Sequence, residues 1–136
     1  MSWVYKGRIF TEEDVGNNIG FVYVITNLLN DKKYIGKKLF KFKKQRQVRK
    51  KKKRILVASD WEDYYGSSDI LKADIEKLGK ENFRREILYL CSNRSQMSYM
   101  ELKEQVLRGV LESDCFYNNW IMVRVRRIKE LMPLTE

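Results

Sequence analysis

The sequence predicts an α/β sandwich: a small three-stranded antiparallel sheet flanked by helices. Three observations carry that expectation. Residues 20–26 are rich in β-branched and aromatic side chains, an Asn30-Asp31 turn follows, and residues 32–37, with Lys33-Tyr34-Ile35-Gly36, read as the second strand of a hairpin. Residues 83–91 form a third such run, polar at its start and apolar at its end. The segments before and after that run carry apolar residues at helical spacing.

The elements follow in chain order. Residues 1–19 read as a polar lead-in, where Thr11 followed by Glu12, Glu13 and Asp14 looks like a helix cap with first-turn acids, and Asn17-Asn18 marks a turn. The hairpin comes next, then a basic excursion over residues 41–54 that reads as irregular or extended. Residues 59–66 are aromatic-rich and are expected to fold back onto the core. Ser67 or Ser68 caps a first helix running to residue 77, with Ile70, Leu71, Ile75 and Leu78 on one face and Gly79 as its stop. After the third strand, a second helix is expected from Ser95 or Ser98 to about Glu112, with Tyr99, Val106, Leu107 and Val110 inward. Residues 114–119 read as a loop and 121–130 as a short strand or helix ending before Pro133. The 136 residues suit one domain, with a core over about residues 19–120 and a C-terminal extension over 121–136.

Charge narrows the function classes. The chain holds 28 Lys and Arg against 18 Asp and Glu, a net +10. Residues 41–54 contain seven lysines (41, 43, 44, 50, 51, 52, 53), three arginines (46, 49, 54) and no acid. Without that stretch 18 basic residues face 18 acidic ones, so the whole net charge sits in 14 residues. Ten like charges cannot be packed into a core and call for a polyanion, with nucleic-acid phosphate as the expected partner. A membrane surface fits less well, because the stretch has no apolar face to bury. With no histidine in the chain, histidine triads, histidine zinc sites and histidine general bases are excluded. A proton acceptor must then be a carboxylate, a lysine, a tyrosine or a metal-bound water. No apolar run approaches membrane-spanning length and the first residues lack a signal-peptide core, so an intracellular setting is expected, the host cytoplasm for a phage-encoded chain. Cys91 and Cys115 stand apart, without metal-ligand spacing, as two free thiols in a reducing compartment.

The hairpin resembles the signature of GIY-YIG nucleases. Val22-Tyr23 stands for the end of the first triplet, Tyr34-Ile35-Gly36 matches the second, and ten residues separate the two tyrosines. Phe21 sits where the first glycine belongs, although Gly20 lies just before it. Ile25-Thr26-Asn27-Leu28 and Asn30-Asp31-Lys32 are similar to family members too. Trp61, Tyr65-Gly66-Ser67-Ser68 and Leu78-Gly79-Lys80-Glu81-Asn82-Phe83 resemble a phage-associated, SegE-like homing-endonuclease branch, which extends the likeness over most of residues 10–120.

The resemblance implies a metal-dependent DNA endonuclease in a phage or other mobile-element context. One strand tyrosine helps to activate water, an arginine meets the phosphate, and one glutamate holds a single divalent ion, Mg²⁺ or Mn²⁺. Tyr23 is assigned the general base and Tyr34 the positioning of phosphate or water. A tyrosine is a weak base at neutral pH, so Lys33, Lys37 and Lys38 are expected to lower its pKa. The position at which the family's arginine is expected holds Lys44. Arg46 is favoured in its place, with Arg49 and Arg54 behind it. For the metal ligand, the phage branch points to Glu101, whereas the broader family pattern and helical spacing point to Glu104; both are kept, Glu101 first. Gly36 and Asn118 are supporting positions. Lys37, Lys38, Lys43, Lys44, Arg49, Lys50, Lys51, Lys52, Lys53 and Arg54 are candidate DNA contacts.

Two other classes fit parts of the pattern. A non-catalytic basic nucleic-acid-binding protein explains the charge but not the tyrosine hairpin with a helix glutamate. A repair or restriction nuclease on the same fold explains both. The chain has no room for a separate DNA-binding domain, so target recognition is expected from the basic excursion, from the Arg124-Val125-Arg126-Arg127 segment, from a homodimer or from an accessory specificity protein.

Overall fold

The computed structural model describes residues 1–48, 51–122 and 124. Two short strands open the chain, β1 (Trp3–Tyr5) and β2 (Arg8–Ile9). The central hairpin is β3 (Gly20–Asn27) with β4 (Lys33–Leu39), and a second hairpin follows as β5 (Lys41–Val48) with β6 (Lys51–Ala58). Helix α1 (Asp69–Leu78), strand β7 (Phe83–Cys91) and helix α2 (Arg94–Leu107) complete the order. Among the described residues no helix is long and apolar enough to cross a membrane.

The α/β class is as the sequence predicts, but the main sheet has five strands, not three, in the order β2-β1-β7-β3-β4. Its heart is the expected antiparallel trio of β7, β3 and β4. The two additional strands come from the supposed polar lead-in, where Lys6 and Gly7 both take positive φ and turn β1 back as β2. β1 then pairs in parallel with β7, which sinks Trp3 into the core. The capped helix expected at Thr11 is a single 3-10 turn, Glu12–Asp14, closed by Asp14 Oδ2 accepting from the Thr11 backbone N–H at 2.9 Å.

β3 is central and buried along its whole length, so each face of the sheet has its own core. Phe21, Tyr23 and Ile25 pack with Trp3, Phe40, Trp61 and the α1 residues Leu71 and Ile75. Val22 and Val24 pack with Ile35, Cys91 and Met97 of α2. Gly20 is what lets α2 come so close: a Cβ there would lie 2.5 Å from Met97 Sδ and 2.7 Å from the Lys38 carbonyl.

α1 matches its expected bounds, with the Ser68 side chain accepting from Leu71 N–H at 3.3 Å and Gly79 (φ +94°) ending it. α2 starts at Arg94, one residue before Ser95 and four before Ser98. Asn93 is the cap, accepting from Gln96 N–H at 2.8 Å, and the helix ends at Leu107. Its expected inward face is also corrected. Val106 and Leu107 are exposed and Tyr99 half-buried, while Met97 and Gln105 face in, and Val110 is buried beyond the helix end. Hydropathy spacing fails here because this helix lines a cleft and turns polar groups towards it.

The basic excursion is extended and regular: β5 and β6 form a two-stranded sheet of their own, in register from Lys41↔Ala58 to Val48↔Lys51. Arg49 and Lys50 lie outside the described residues. The ribbon is fixed at its base, where Ser59 N–H donates to Phe40 O at 2.9 Å and buried Phe40 and Trp61 meet edge to face. Of the proposed C-terminal element, only residues 121, 122 and 124 are described, and they carry no regular structure.

Candidate active site

β4 is the outer strand of the sheet, and Gly36 on it pairs directly with Tyr23 on β3. Residues opposite each other on paired strands point to the same face, so a side chain at position 36 would cover the Tyr23 ring. A Cβ built there would lie 2.7 Å from Tyr23 Cζ and 3.0 Å from Tyr34 Cε1. Glycine at this place lets the hydroxyl of a buried central-strand tyrosine reach over β4 to the edge of the sheet. Tyr34 lies on the same face two residues earlier, its ring centroid 6.2 Å from that of Tyr23 and its hydroxyl 2.9 Å from Ser67 Oγ.

α2 brings Glu101 to the same edge from the opposite face. Lys37 links β4 to α2: its Nζ donates to Ser98 Oγ at 2.9 Å and stands 4.0 Å from Glu101 Oε1. A cleft of about 500 Å³ opens there, with Tyr23, Tyr34, Lys37 and Glu101 on its floor and the start of α1 on one wall.

The segment after α2 closes the free edge of β4. Lys33 N–H donates to Cys115 O at 2.9 Å and Tyr117 N–H to Lys33 O at 2.7 Å. Asn118 then acts as a one-residue strand through its side chain, with Oδ1 accepting from Ile35 N–H at 3.0 Å and Nδ2 donating to Ile35 O at 2.9 Å. Tyr117 ties this segment to the core, its hydroxyl donating to Asp74 Oδ2 at 2.7 Å and accepting from Asn27 Nδ2 at 3.0 Å. Burial first, and the Asp74 carboxylate with it, push the Tyr117 pKa up to about 12.

Burial dominates the electrostatics of the cleft. It holds Tyr23 well above the ordinary tyrosine pKa, with Tyr64 and Tyr34 adding to the effect. Tyr34 is raised by burial too, against the opposing hydrogen bond with Ser67. Glu101 is raised by burial and only partly relieved by Lys37. The lysine field expected to acidify the tyrosines is largely spent elsewhere. Lys33 pairs with Asp31 at 2.9 Å, and Lys38 pairs with Asp60 at 2.6 Å while lying over the Tyr64 ring.

Of the residues singled out from sequence, Tyr23, Tyr34, Lys37, Glu101 and Asn118 line one cleft. Glu104 does not join them. It accepts from the Tyr89 hydroxyl at 2.9 Å and meets Arg108, on the flank of α2 that faces β7. Arg46, Lys43, Lys44 and Lys53 occupy ribbon positions, Arg46 in register with Lys53; Lys51, Lys52 and Arg54 are exposed on it. Sequence reasoning passed over Ser67, Ser98 and Gln105, whose Nε2 donates to Ile35 O at 3.3 Å. For Ser67 a signal existed: it follows Gly66, whose φ of +91° sets the turn that brings the serine under Tyr34.

Among the described residues no group of three acidic or cysteine side chains stands ready to cage a metal. A single carboxylate in a roomy cleft does suit a hard divalent ion that keeps most of its own waters. Burial raises the pKa of Glu101 against the opposing charge of Lys37, and a cation bound beside it would offset that burial.

Comparison with known proteins agrees with the architecture. A family model described as "Putative endonuclease segE, GIY-YIG domain" matches residues 3–121. The putative endonuclease segE of Enterobacteria phage T4 is 33% identical over 99 residues, which cover 72% of this chain and 39% of that protein. The chain thus corresponds to well under half the length of that relative, and no solved structure matches it. On the extent of the family match, the chain belongs to the SegE family of GIY-YIG endonucleases.

Proposed function

We propose that this chain is a divalent-metal-dependent endodeoxyribonuclease of phage homing type. The observation that carries the reading is the meeting of Tyr23, Tyr34, Lys37 and Glu101, from β3, β4 and α2, in one cleft. Structural packing alone does not require two tyrosine hydroxyls, an ammonium and a half-buried carboxylate to converge at a sheet edge.

Glu101 would hold the ion, Mg²⁺ or Mn²⁺, which when bound supplies positive charge at the phosphate and acidity to nearby protons. Lys37 and the Tyr34 hydroxyl bind and orient the non-bridging phosphate oxygens. Tyr23 is the general base: the fraction of it that is deprotonated takes the proton from the attacking water at its phenolate oxygen. The new P–O bond forms as the bond to the 3′ oxygen breaks. Arg46, a residue of the ribbon, is assigned the developing negative charge. The basic ribbon holds the flanking duplex through backbone phosphates. A second copy of the chain would permit a double-strand break and an accessory specificity protein would direct target choice, inside the host cell.

The test is cleavage of supercoiled plasmid with Mg²⁺ or Mn²⁺. Tyr23→Phe and Glu101→Ala should each lose about a hundredfold or more in rate, the usual size of an acid–base or charge-stabilising group. Glu104→Ala should stay within about tenfold of the unsubstituted chain, since its partners are Tyr89 and Arg108. Tight, salt-sensitive binding without cleavage under either metal would overturn the reading in favour of a non-catalytic binding protein.

A further inference from the structure

The cleft has two chemically different parts. Its floor is polar, but its rim carries Ile70 at the start of α1 and Trp120 and Met122 beyond Asn118. These are large apolar side chains on the outside of the molecule, with Trp120 64% exposed. Packing does not account for an indole there, because the other two tryptophans, Trp3 and Trp61, are 2% and 3% exposed in the core. The backbone around Trp120 is fixed on both sides. Asn118 is bonded twice to Ile35, and Ile121 packs against the core on the α2 side of the sheet. The indole is therefore presented at the mouth of the cleft by a fixed support. A polar floor shaped for a phosphodiester, with a flat aromatic face next to it, is complementary to one nucleotide: phosphate below, base against the ring.

We propose that Trp120 stacks on the nucleobase beside the scissile phosphate, with Ile70 and Met122 shielding it from water. This rests on the reading of the cleft as the site of phosphodiester cleavage. A base can reach the indole only after leaving its neighbour in the duplex. The preferred cut site is thus one where unstacking is easy, such as a mismatch or a flexible pyrimidine–purine step.

Intrinsic fluorescence tests the contact independently of catalysis. With metal chelated so that no DNA is cut, the chain is titrated with a matched duplex and with the same duplex carrying one mismatch. Binding is followed by anisotropy of a dye on the DNA. The proposal expects quenching and a blue shift of the exposed-tryptophan emission at saturation, stronger with the mismatched duplex and absent in Trp120→Phe. Trp120→Ala, at an exposed position, should weaken binding of the mismatched duplex about tenfold, the scale of one base–aromatic stack, and Trp120→Phe should recover most of that loss. Saturation without any change in emission, together with unaltered affinity in Trp120→Ala, would overturn the proposal. Quenching in a chain that cuts no DNA under any metal would keep the stacking contact and reject the nuclease reading, so the two can fail separately.

Discussion

Gly36 and Tyr23 form a pair in which one residue's absent side chain makes room for the other's hydroxyl. Gly36→Ala places a methyl group against the Tyr23 ring. Since Tyr23 is fully buried between Trp3, Phe21 and Tyr64, the ring has little room to retreat. We expect a loss of about 1–3 kcal/mol in stability, the usual cost of overpacking, read by denaturant titration. Cleavage should fall further than stability accounts for, because the hydroxyl is displaced from the cleft. Acidity supplies a second residue-scale prediction. Burial raises the pKa of Tyr23, and the reactive form in the proposed mechanism is the deprotonated one. The fraction in that form therefore grows with pH, about tenfold per unit, as long as pH stays below the pKa. The logarithm of kcat/KM should climb with a slope near +1 through neutrality into the alkaline range, without an early plateau. In Tyr23→Phe the residual rate should lose that slope; if the slope survives the substitution, the base is another group.

At the scale of elements, what could be read from sequence depended on whether local pattern and site function agreed. The β3–β4 hairpin, α1 and β7 were legible because their patterns and caps largely coincide with their burial: Ser68 caps α1, Gly79 ends it and Leu71 and Ile75 are buried, although Ile70, expected on the same face, is half exposed, and Phe83–Cys91 forms β7. α2 was misread for a physical reason. Its inward side carries Glu101 and Gln105 as well as Met97, while Val106 and Leu107 are exposed, so apolar spacing alone does not mark the buried face. The β1–β2 turn was hidden because each strand is only two or three residues long. The long-range contacts of the site, Tyr34 with Ser67 and Asn118 with Ile35, have no local signature at all. The 115–118 segment shows how one element depends on another. Tyr117 joins it to Asn27 of β3 and Asp74 of α1, all beneath the strand that carries Tyr34. Tyr117→Phe removes both bonds and leaves the buried Asn27 amide without that acceptor. Stability should fall by about 1–3 kcal/mol, lowering Tm by several degrees in a thermal melt. An unchanged Tm would mean that water replaces the hydroxyl at no cost.

Across the whole molecule, charge and chemistry sit in different places. Residues 41–54 hold the entire net charge, and among the described residues β5 and β6 pair only with each other. The five-stranded sheet with its two helices is close to neutral and contains the cleft, with Phe40 and Ser59 marking the point at which the ribbon leaves it. Such a division lets affinity and chemistry be altered separately. A two-stranded ribbon of eight-residue strands is also of a size that the major groove admits. Replacing residues 43–56 by an Asn-Gly turn keeps the Phe42↔Val57 pair at the base and removes every basic residue of the ribbon except Lys41. The shortened chain should fold with its Tm little changed, since both cores lie in the main sheet. Its DNA binding should lose most of its salt dependence, the slope of log K against log[salt] shrinking by about 0.9 for each phosphate contact removed. At low salt and high DNA concentration it should still cut, more slowly where Arg46 contributes to the step, and with any mismatch preference set at the cleft retained. An undiminished salt slope would place the DNA-binding surface on the body instead of the ribbon. A folded chain inert at every DNA concentration would make the ribbon part of the catalytic apparatus, with Arg46 the first residue to substitute singly.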